Sequence, residues 1–368
     1  MDDLKKLYIE PTSRCNLDCT MCFRTSWLQD AFTDMEAPVF ETVLQTMPET
    51  VETALFGGMG EPLLHSNIIR MVAGASEKGK RVALVTNATL LTPEKSHGLI
   101  EAGLDMLWVS MDSFDERAYE GIRRNSSFAL VQENVQAFNR IRQKNGGLPG
   151  LGVNFVAMKS NVGQLPLISR FVTRYSINEV NISNLIPTDR RSEQEILYDG
   201  LTHKDCWWRD PNAATVRLPL MNWHQAGVME GMRDLFSFLP GTLTLSGHPL
   251  NRRINRCRFI EEGNAFVRCD GKISPCMALL YSATTYWTGR PRVIHHHSFG
   301  DVRSQGLAAI WNSEEYRLFR DRVRRFDFSP CLRCGGCDNW EQNIADCFGN
   351  KKPVCGACLW SEGVISCP

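Results

Sequence analysis

Three cysteines fall within eight residues, Cys15-Asn-Leu-Asp-Cys19-Thr-Met-Cys22. Thiolates are metal ligands, and three in so short a loop can hold three irons of a [4Fe–4S] cube. A cube normally takes four cysteines, so one iron would be left open for a substrate or cofactor. A zinc ion, or two ligands and a bystander, would use the same residues. The chain has 14 cysteines. None lies from residue 23 to 205, Cys206 stands alone, and ten more follow. These are Cys257, Cys269, Cys276, Cys331, Cys334, Cys337, Cys347, Cys355, Cys358 and Cys367. A secreted disulfide framework would need an export signal and usually a short chain. In a reducing compartment clustered thiols read as metal ligands. Metal chemistry is therefore expected twice, once near each end, although the CX2C pairs would also suit structural zinc.

A second set of residues could bind a small polar ligand. Gly57-Gly58-Met59-Gly60-Glu61-Pro62 combines glycines, which let a backbone approach a ligand closely, with a carboxylate that can receive an ammonium group. Asn87 and Ser110 carry small polar side chains that can hydrogen-bond a ribose or a carboxylate, and Asp112 follows close behind. Helix capping is the competing role for all three. Other features read as ordinary structure. His295-His296-His297 fits a solvated loop, Cys206-Trp207-Trp208 fits partial core burial, and Arg322–Arg325 fits the wet face of a helix.

The elements that must position these residues alternate. Apolar runs suited to strands are Leu7–Pro11, Ala54–Gly57, Val82–Thr86, Met106–Ser110, Val153–Met158 and Val180–Leu185. Helical patterns lie between them at Val39–Met47, Asn67–Ser76, Pro93–Ala102, Phe128–Gln143 and Gln164–Arg174. Uninterrupted apolar strands separated by helices indicate βαβ units around a parallel sheet buried on both faces. Six units predict an α/β fold of the partial TIM-like (β/α)6 kind. Its chemistry belongs at the C-terminal ends of the strands, where Cys15, Glu61, Asn87 and Ser110 all fall. The expected divisions are a barrel over 1–187, a connecting, substrate-shaping segment over 188–256, and a small cysteine-rich domain over 257–368. Within the last, Gln305–Phe326 reads as one helix.

Composition bounds the function classes. The chain has 368 residues, 43% hydrophobic and 22% charged, which excludes a mostly disordered or collagen-like protein. Lys+Arg and Asp+Glu both total 41, so there is no basic excess of the kind a nucleic-acid binder usually shows. No apolar run approaches the roughly 18 residues of a membrane span, and Met1–Lys6 lacks the apolar stretch of a signal peptide. The expectation is a cytoplasmic, soluble protein without nucleic-acid or membrane partners.

The CX3CX2C spacing directly after the first strand resembles the radical SAM (radical S-adenosylmethionine) enzymes, with Met21 where that family often has an aromatic residue. The resemblance implies a catalytic [4Fe–4S] cluster on Cys15, Cys19 and Cys22. Its open iron would chelate S-adenosylmethionine, and an electron would cleave the sulfonium to methionine and a 5′-deoxyadenosyl radical that abstracts hydrogen. Gly57–Pro62 is similar to the family's GGEP-type motif, implying that Gly57, Gly58, Gly60 and Glu61 bind the cofactor's amino group. Asn87, Ser110 and Asp112 would line its pocket.

Cys257-x13-Gly271-x4-Cys276, with the cysteines after it, resembles the SPASM domain and implies one or two auxiliary [4Fe–4S] clusters. The chain departs from the usual second half of that pattern, with CX2C-x2-C from Cys331 and a later CX2C at Cys355. The tail, Asp346 to Pro368, looks like a narrower group, the radical SAM maturases of tungsten-cofactor oxidoreductases. That implies a tungsten-dependent oxidoreductase or its cofactor as partner, and a low-potential electron donor such as ferredoxin or flavodoxin. Peptide modification, and electron transfer without catalysis, are the alternatives.

Overall fold

The structure is a computed structural model. It describes residues 3–28, 33–198, 255–334 and 337–368, together with the backbone of short strands at 215–218, 242–245 and 248–249. Cys206 and the segment 222–239 lie outside the described residues. Among the described residues no helix is long and apolar enough to cross a membrane.

Six parallel strands carry the first half: β1 (Lys6–Ile9), β2 (Thr53–Phe56), β3 (Arg81–Thr86), β4 (Met106–Ser110), β5 (Gly150–Ala157) and β6 (Glu179–Asn184). They coincide within a few residues with the six apolar runs. The helices between them are α1 (Ala37–Thr46), α2 (Ile68–Glu77), α3 (Pro93–Glu101), α4 (Glu116–Ile122), α5 (Phe128–Lys144) and α6 (Ile168–Tyr175). The short helix α4 escaped the sequence reading, and the turns before α6 are 3-10 rather than α, with Pro166 inside them.

From β1 to β5 both faces of the sheet are buried, which is why those strands read as continuous apolar runs; the edge strand β6 is largely exposed, with Val180 at 38% and Ile182 at 47%. On the outer face Leu7, Ile9, Phe56, Leu84, Val109 and Val153 pack against Val43, Val72, Leu99, Val131 and Phe138 of the helices. Each such buried side chain contributes about 1.5–3 kcal/mol of transfer free energy. On the inner face Tyr8, Leu55, Ala83, Met106, Trp108 and Phe266 form a second cluster. Gly152 makes room for it, because a Cβ there would lie 2.5 Å from the Trp108 ring.

The sheet does not stop at residue 187. β7 (Asn264–Val267) pairs in parallel with β1, from Lys6 beside Asn264 to Ile9 beside Val267. β8 (Lys272–Ser274) then joins antiparallel to β7. A hairpin of β9 (Ala283–Trp287) and β10 (Arg290–Ile294) follows, and β11 (Gly300–Asp301) returns to β8. The nine-stranded order is β11-β8-β7-β1-β2-β3-β4-β5-β6. The cysteine-rich half thus continues the barrel wall instead of standing apart from it. The single helix expected over Gln305–Phe326 is two, Leu307–Trp311 and Glu314–Arg325. Ser313 breaks it, because its side chain caps the second helix by accepting from the Tyr316 N–H.

Candidate functional site

The cysteine loop leaves the C-terminal end of β1 and lies directly on the glycine motif at the end of β2. Gly60 permits this contact: a Cβ there would sit 2.1 Å from the Thr12 carbonyl and 2.6 Å from that of Arg14. The Glu61 N–H donates to the same Arg14 carbonyl, at 2.8 Å. Cys19 pairs with Arg123 in a two-residue antiparallel bridge. A helical turn after Cys22, Phe23–Ser26, carries Trp27 onto Tyr281 of the C-terminal half, with ring centroids 3.9 Å apart. All three thiols are half-buried. Burial pushes Cys19 up to about 12 against the pull of the Arg123 guanidinium, and the charges of Cys22 and Cys15 add to the rise. Three such thiols held together lose protons readily only to a metal or cluster that takes their charge.

Glu61, expected to receive an ammonium group, is also held by the chain itself. It is 2% exposed. One carboxylate oxygen accepts from the Leu63 N–H at 3.0 Å and the Thr86 hydroxyl at 2.7 Å. The other accepts from the Asn87 N–H at 2.7 Å. Three of about four acceptor positions are therefore filled by the chain itself, and the carboxylate ties the end of β2 to the end of β3. Gly58 is likewise packed from within, since a Cβ there would meet Glu10 at 2.7 Å. Gly57 donates its N–H to the Ile9 carbonyl.

Asn87 faces the cysteine loop, donating to Asn16 at 3.0 Å and reaching the Cys15 sulfur at 3.8 Å. Ser110 lies half-buried in one row with Asn154 and Asn181 across β4, β5 and β6. None of these polar residues caps the next helix; Thr92 and Asp115 do that. Asp112, expected among the residues lining a cofactor pocket, is engaged by the chain itself. It is fully buried, accepts from the Val156 N–H and forms an ion pair with Arg123 at 2.6 Å. Its charge is spent on holding Arg123 against Cys19.

The ten later cysteines divide. Cys257, Cys276, Cys355 and Cys358 line one small space with Pro275, Phe319 and Trp360. Burial, and then the neighbouring thiols, push Cys276 and Cys355 well up. Cys331 is buried, Cys337 and Cys347 are exposed, and the side chain of Cys334 lies outside the described residues. Two cysteines expected among the ligands lie elsewhere. The Cys269 sulfur is 3.4 Å from the Tyr281 hydroxyl, and Cys367 takes a hydrogen bond from the Trp360 indole. Sequence order could not separate them, because spacing does not tell which thiol points into a shared cavity. Among the described residues no three His, Cys, Asp or Glu side chains are drawn together as tightly as a single metal ion needs.

The sequence reading missed two residues that join the parts. Glu10, 1% exposed at the end of β1, accepts from the Met59 N–H, the Tyr281 hydroxyl and the Cys269 N–H. It therefore fastens the glycine motif to the C-terminal half. A lone carboxylate ending an apolar strand was its visible signal. Arg123 had no such signal, since only the fold brings it beside Cys19.

Comparison with known proteins agrees with this geometry. Residues 9–158 match the radical SAM superfamily, and residues 257–338 match the SPASM iron–sulfur cluster-binding domain. The chain belongs to the radical SAM superfamily and is a radical SAM enzyme with a SPASM domain, using S-adenosylmethionine and iron–sulfur clusters. It is 31% identical, over 99% of its own length and 97% of the relative's, to the tungsten-containing aldehyde ferredoxin oxidoreductase cofactor-modifying protein of Pyrococcus furiosus. It is 22% identical to the AdoMet-dependent heme synthase of Nitratidesulfovibrio vulgaris, over 94% and 90% of the two chains. Its fold resembles Streptococcus suis SuiB bound to S-adenosylmethionine, with a TM-score of 0.57 at 14% identity over 91% of this chain and 71% of that one.

Proposed function

We propose that Cys15, Cys19 and Cys22 hold the catalytic cluster, and that two auxiliary clusters occupy the C-terminal half. Cys257, Cys276, Cys355 and Cys358 would hold one; Cys331, Cys334, Cys337 and Cys347 would hold the other. Cys257, Cys276, Cys355 and Cys358 line one small space, and four thiols match the ligand count of a cube. A cluster held by Cys15, Cys19 and Cys22 would supply the one-electron reduction of S-adenosylmethionine bound at its open iron. The chain's own residues prepare this: Asn87 and Arg123 flank the loop, Glu61 fixes its floor, and Asn154 and Asn181 line the inner face below Ser110.

The task we assign is maturation of a tungsten-dependent oxidoreductase, on its metallopterin cofactor or its polypeptide. The observation that carries it is likeness along the whole chain to a protein named for that work, including the tail beyond residue 338. A low-potential donor such as ferredoxin or flavodoxin would feed the electron, and so many unpaired thiols suit the cytoplasm. The test incubates anaerobically reconstituted enzyme, S-adenosylmethionine and reductant with a tungsten oxidoreductase made in cells lacking this chain. A gain of oxidoreductase activity, with a mass change on cofactor or polypeptide, is expected. Cofactor cleavage without either change, but with modification of a short peptide, would replace this reading with peptide modification.

A further inference from the structure

Asp346 immediately precedes Cys347 and is 4% exposed. Its Oδ1 accepts from the Phe348 N–H and the Asn350 N–H, both at 3.0 Å, and so closes the turn that carries Cys347. The Asn350 side-chain amide bridges both carboxylate oxygens, at 3.1 and 2.9 Å. Oδ2 reaches out of the turn and accepts from the Ser329 N–H at 3.1 Å. Ser329 is 2% exposed and stands two residues before Cys331. Its hydroxyl touches the Cys331 sulfur at 2.8 Å, and its carbonyl accepts from the Cys331 N–H at 2.8 Å. The far side of Ser329 is closed, since a Cβ on Gly356 would lie 1.8 Å from the Ser329 carbonyl oxygen. One side chain therefore ties the turn bearing Cys347 to the segment bearing Cys331, and that segment has no room to back away.

A buried carboxylate beside thiols is electrostatically unfavourable, because it adds a like charge next to groups that give up their protons to a metal. Its acceptor capacity is what a neutral side chain lacks. Three backbone N–H groups are divided between its two oxygens, whereas an amide offers one acceptor oxygen and points donors the other way. A buried N–H left without an acceptor is strongly disfavoured. We infer that Asp346 is the positioning residue of the second auxiliary thiol group: through Ser329 it holds the Cys347 turn against the Cys331 segment, so that the two cysteines serve one iron–sulfur group. This rests on the reading that Cys331, Cys334, Cys337 and Cys347 hold a cluster.

The test uses the full chain carrying Cys15→Ala, Cys19→Ala and Cys22→Ala, so that only the C-terminal half reports. Iron per chain is measured after anaerobic reconstitution, and EPR spectra of the reduced protein are recorded on the same samples. The parent should hold about eight irons, two cubes. Asp346→Asn, with its oxygen on the turn, sets an N–H against the Ser329 N–H. It should halve the iron to about four and remove one of the two EPR signals. Asn350→Ala loosens the same turn but leaves Oδ2 on Ser329, and should keep about eight irons and both signals. Full iron and both signals in Asp346→Asn would overturn the inference and leave the cluster reading standing. Equal loss in Asp346→Asn and Asn350→Ala would assign the effect to the turn as a whole and also overturn it. If Asp346→Asn fails to fold or loads no iron, return of both signals in Asp346→Glu supports the carboxylate link, and no return overturns it. Clearly fewer than about eight irons in the parent would overturn the cluster reading together with the inference.

Discussion

Buried charge at the residue scale is spent on holding the site together. Glu61 is the clearest case, and its three donors make a strong prediction. Glu61→Ala leaves the Leu63 and Asn87 N–H groups and the Thr86 hydroxyl without their acceptor. Each of the three buried groups left unpaired costs about 1–3 kcal/mol, so the apo protein should lose at least about 3 kcal/mol in urea denaturation. Unchanged stability with weakened S-adenosylmethionine binding would instead make Glu61 a direct ligand. Lys6 gives a pH signature. Burial lowers its pKa from 10.5 to about 8. Between those values the unfolded chain binds the proton and the folded one has released it. Folding stability therefore rises with pH through that window, and below about 8 the folded protein bears the full cost of the buried charge. The stability difference between wild type and Lys6→Met should move in favour of wild type from pH 8 to 10. The slope is at most about 1.4 kcal/mol per pH unit, reduced by solvent screening. A flat difference would mean that Lys6 keeps its ordinary pKa.

The element that matters most is the contact between two loops, one from β1 and one from β2. Its tolerance is set by Gly60, where even a methyl group would enter the backbone of the cysteine loop. Gly60→Ala should displace Cys15 while leaving the thiols of the C-terminal half untouched. Iron analysis of the reconstituted variant should show the loss of one cluster, about four iron atoms, with the rest retained. Full iron content and normal cofactor cleavage would show that the loop yields. Strands β1 to β5 and five of the helices were legible because their apolar pattern reports burial on both faces or on one; β6 was legible from its alternating β-branched residues Val180 and Ile182 although they are exposed. Helix α4 was not, because seven residues carry too little periodicity, and Asp115 was the only cue to its start.

The whole molecule is joined by β7, which covers the β1 edge of the barrel sheet. Without residues 257–368 that edge would be bare and the inner cluster would lose Phe259, Phe266, Leu280 and Tyr281. A fragment of residues 1–256 should therefore aggregate or remain unfolded when made under conditions where the full chain is soluble. A soluble, folded fragment that binds iron at the cysteine loop would show that the barrel stands alone. The last residues add a second tie. Ser366 bonds Asn181 and Ser183 of β6, while the Pro368 carbonyl accepts from Lys6 and Tyr8 of β1.

The sequence by itself determined the chemistry and the scaffold that serves it. Three thiols at tight spacing, a glycine motif at the next strand end and six alternating units are local patterns, written in neighbouring residues. The tertiary structure alone decided the gathering of Cys257, Cys276, Cys355 and Cys358 around one space, the pairing of Asp112 with Arg123 and the three-way hold of Glu10. Each of these joins residues far apart in the chain. Spacing along a chain limits which side chains can meet only over a few residues. Beyond that, the docking of β7 on β1, and the burial it forces on every neighbouring charge and thiol, decides who faces whom.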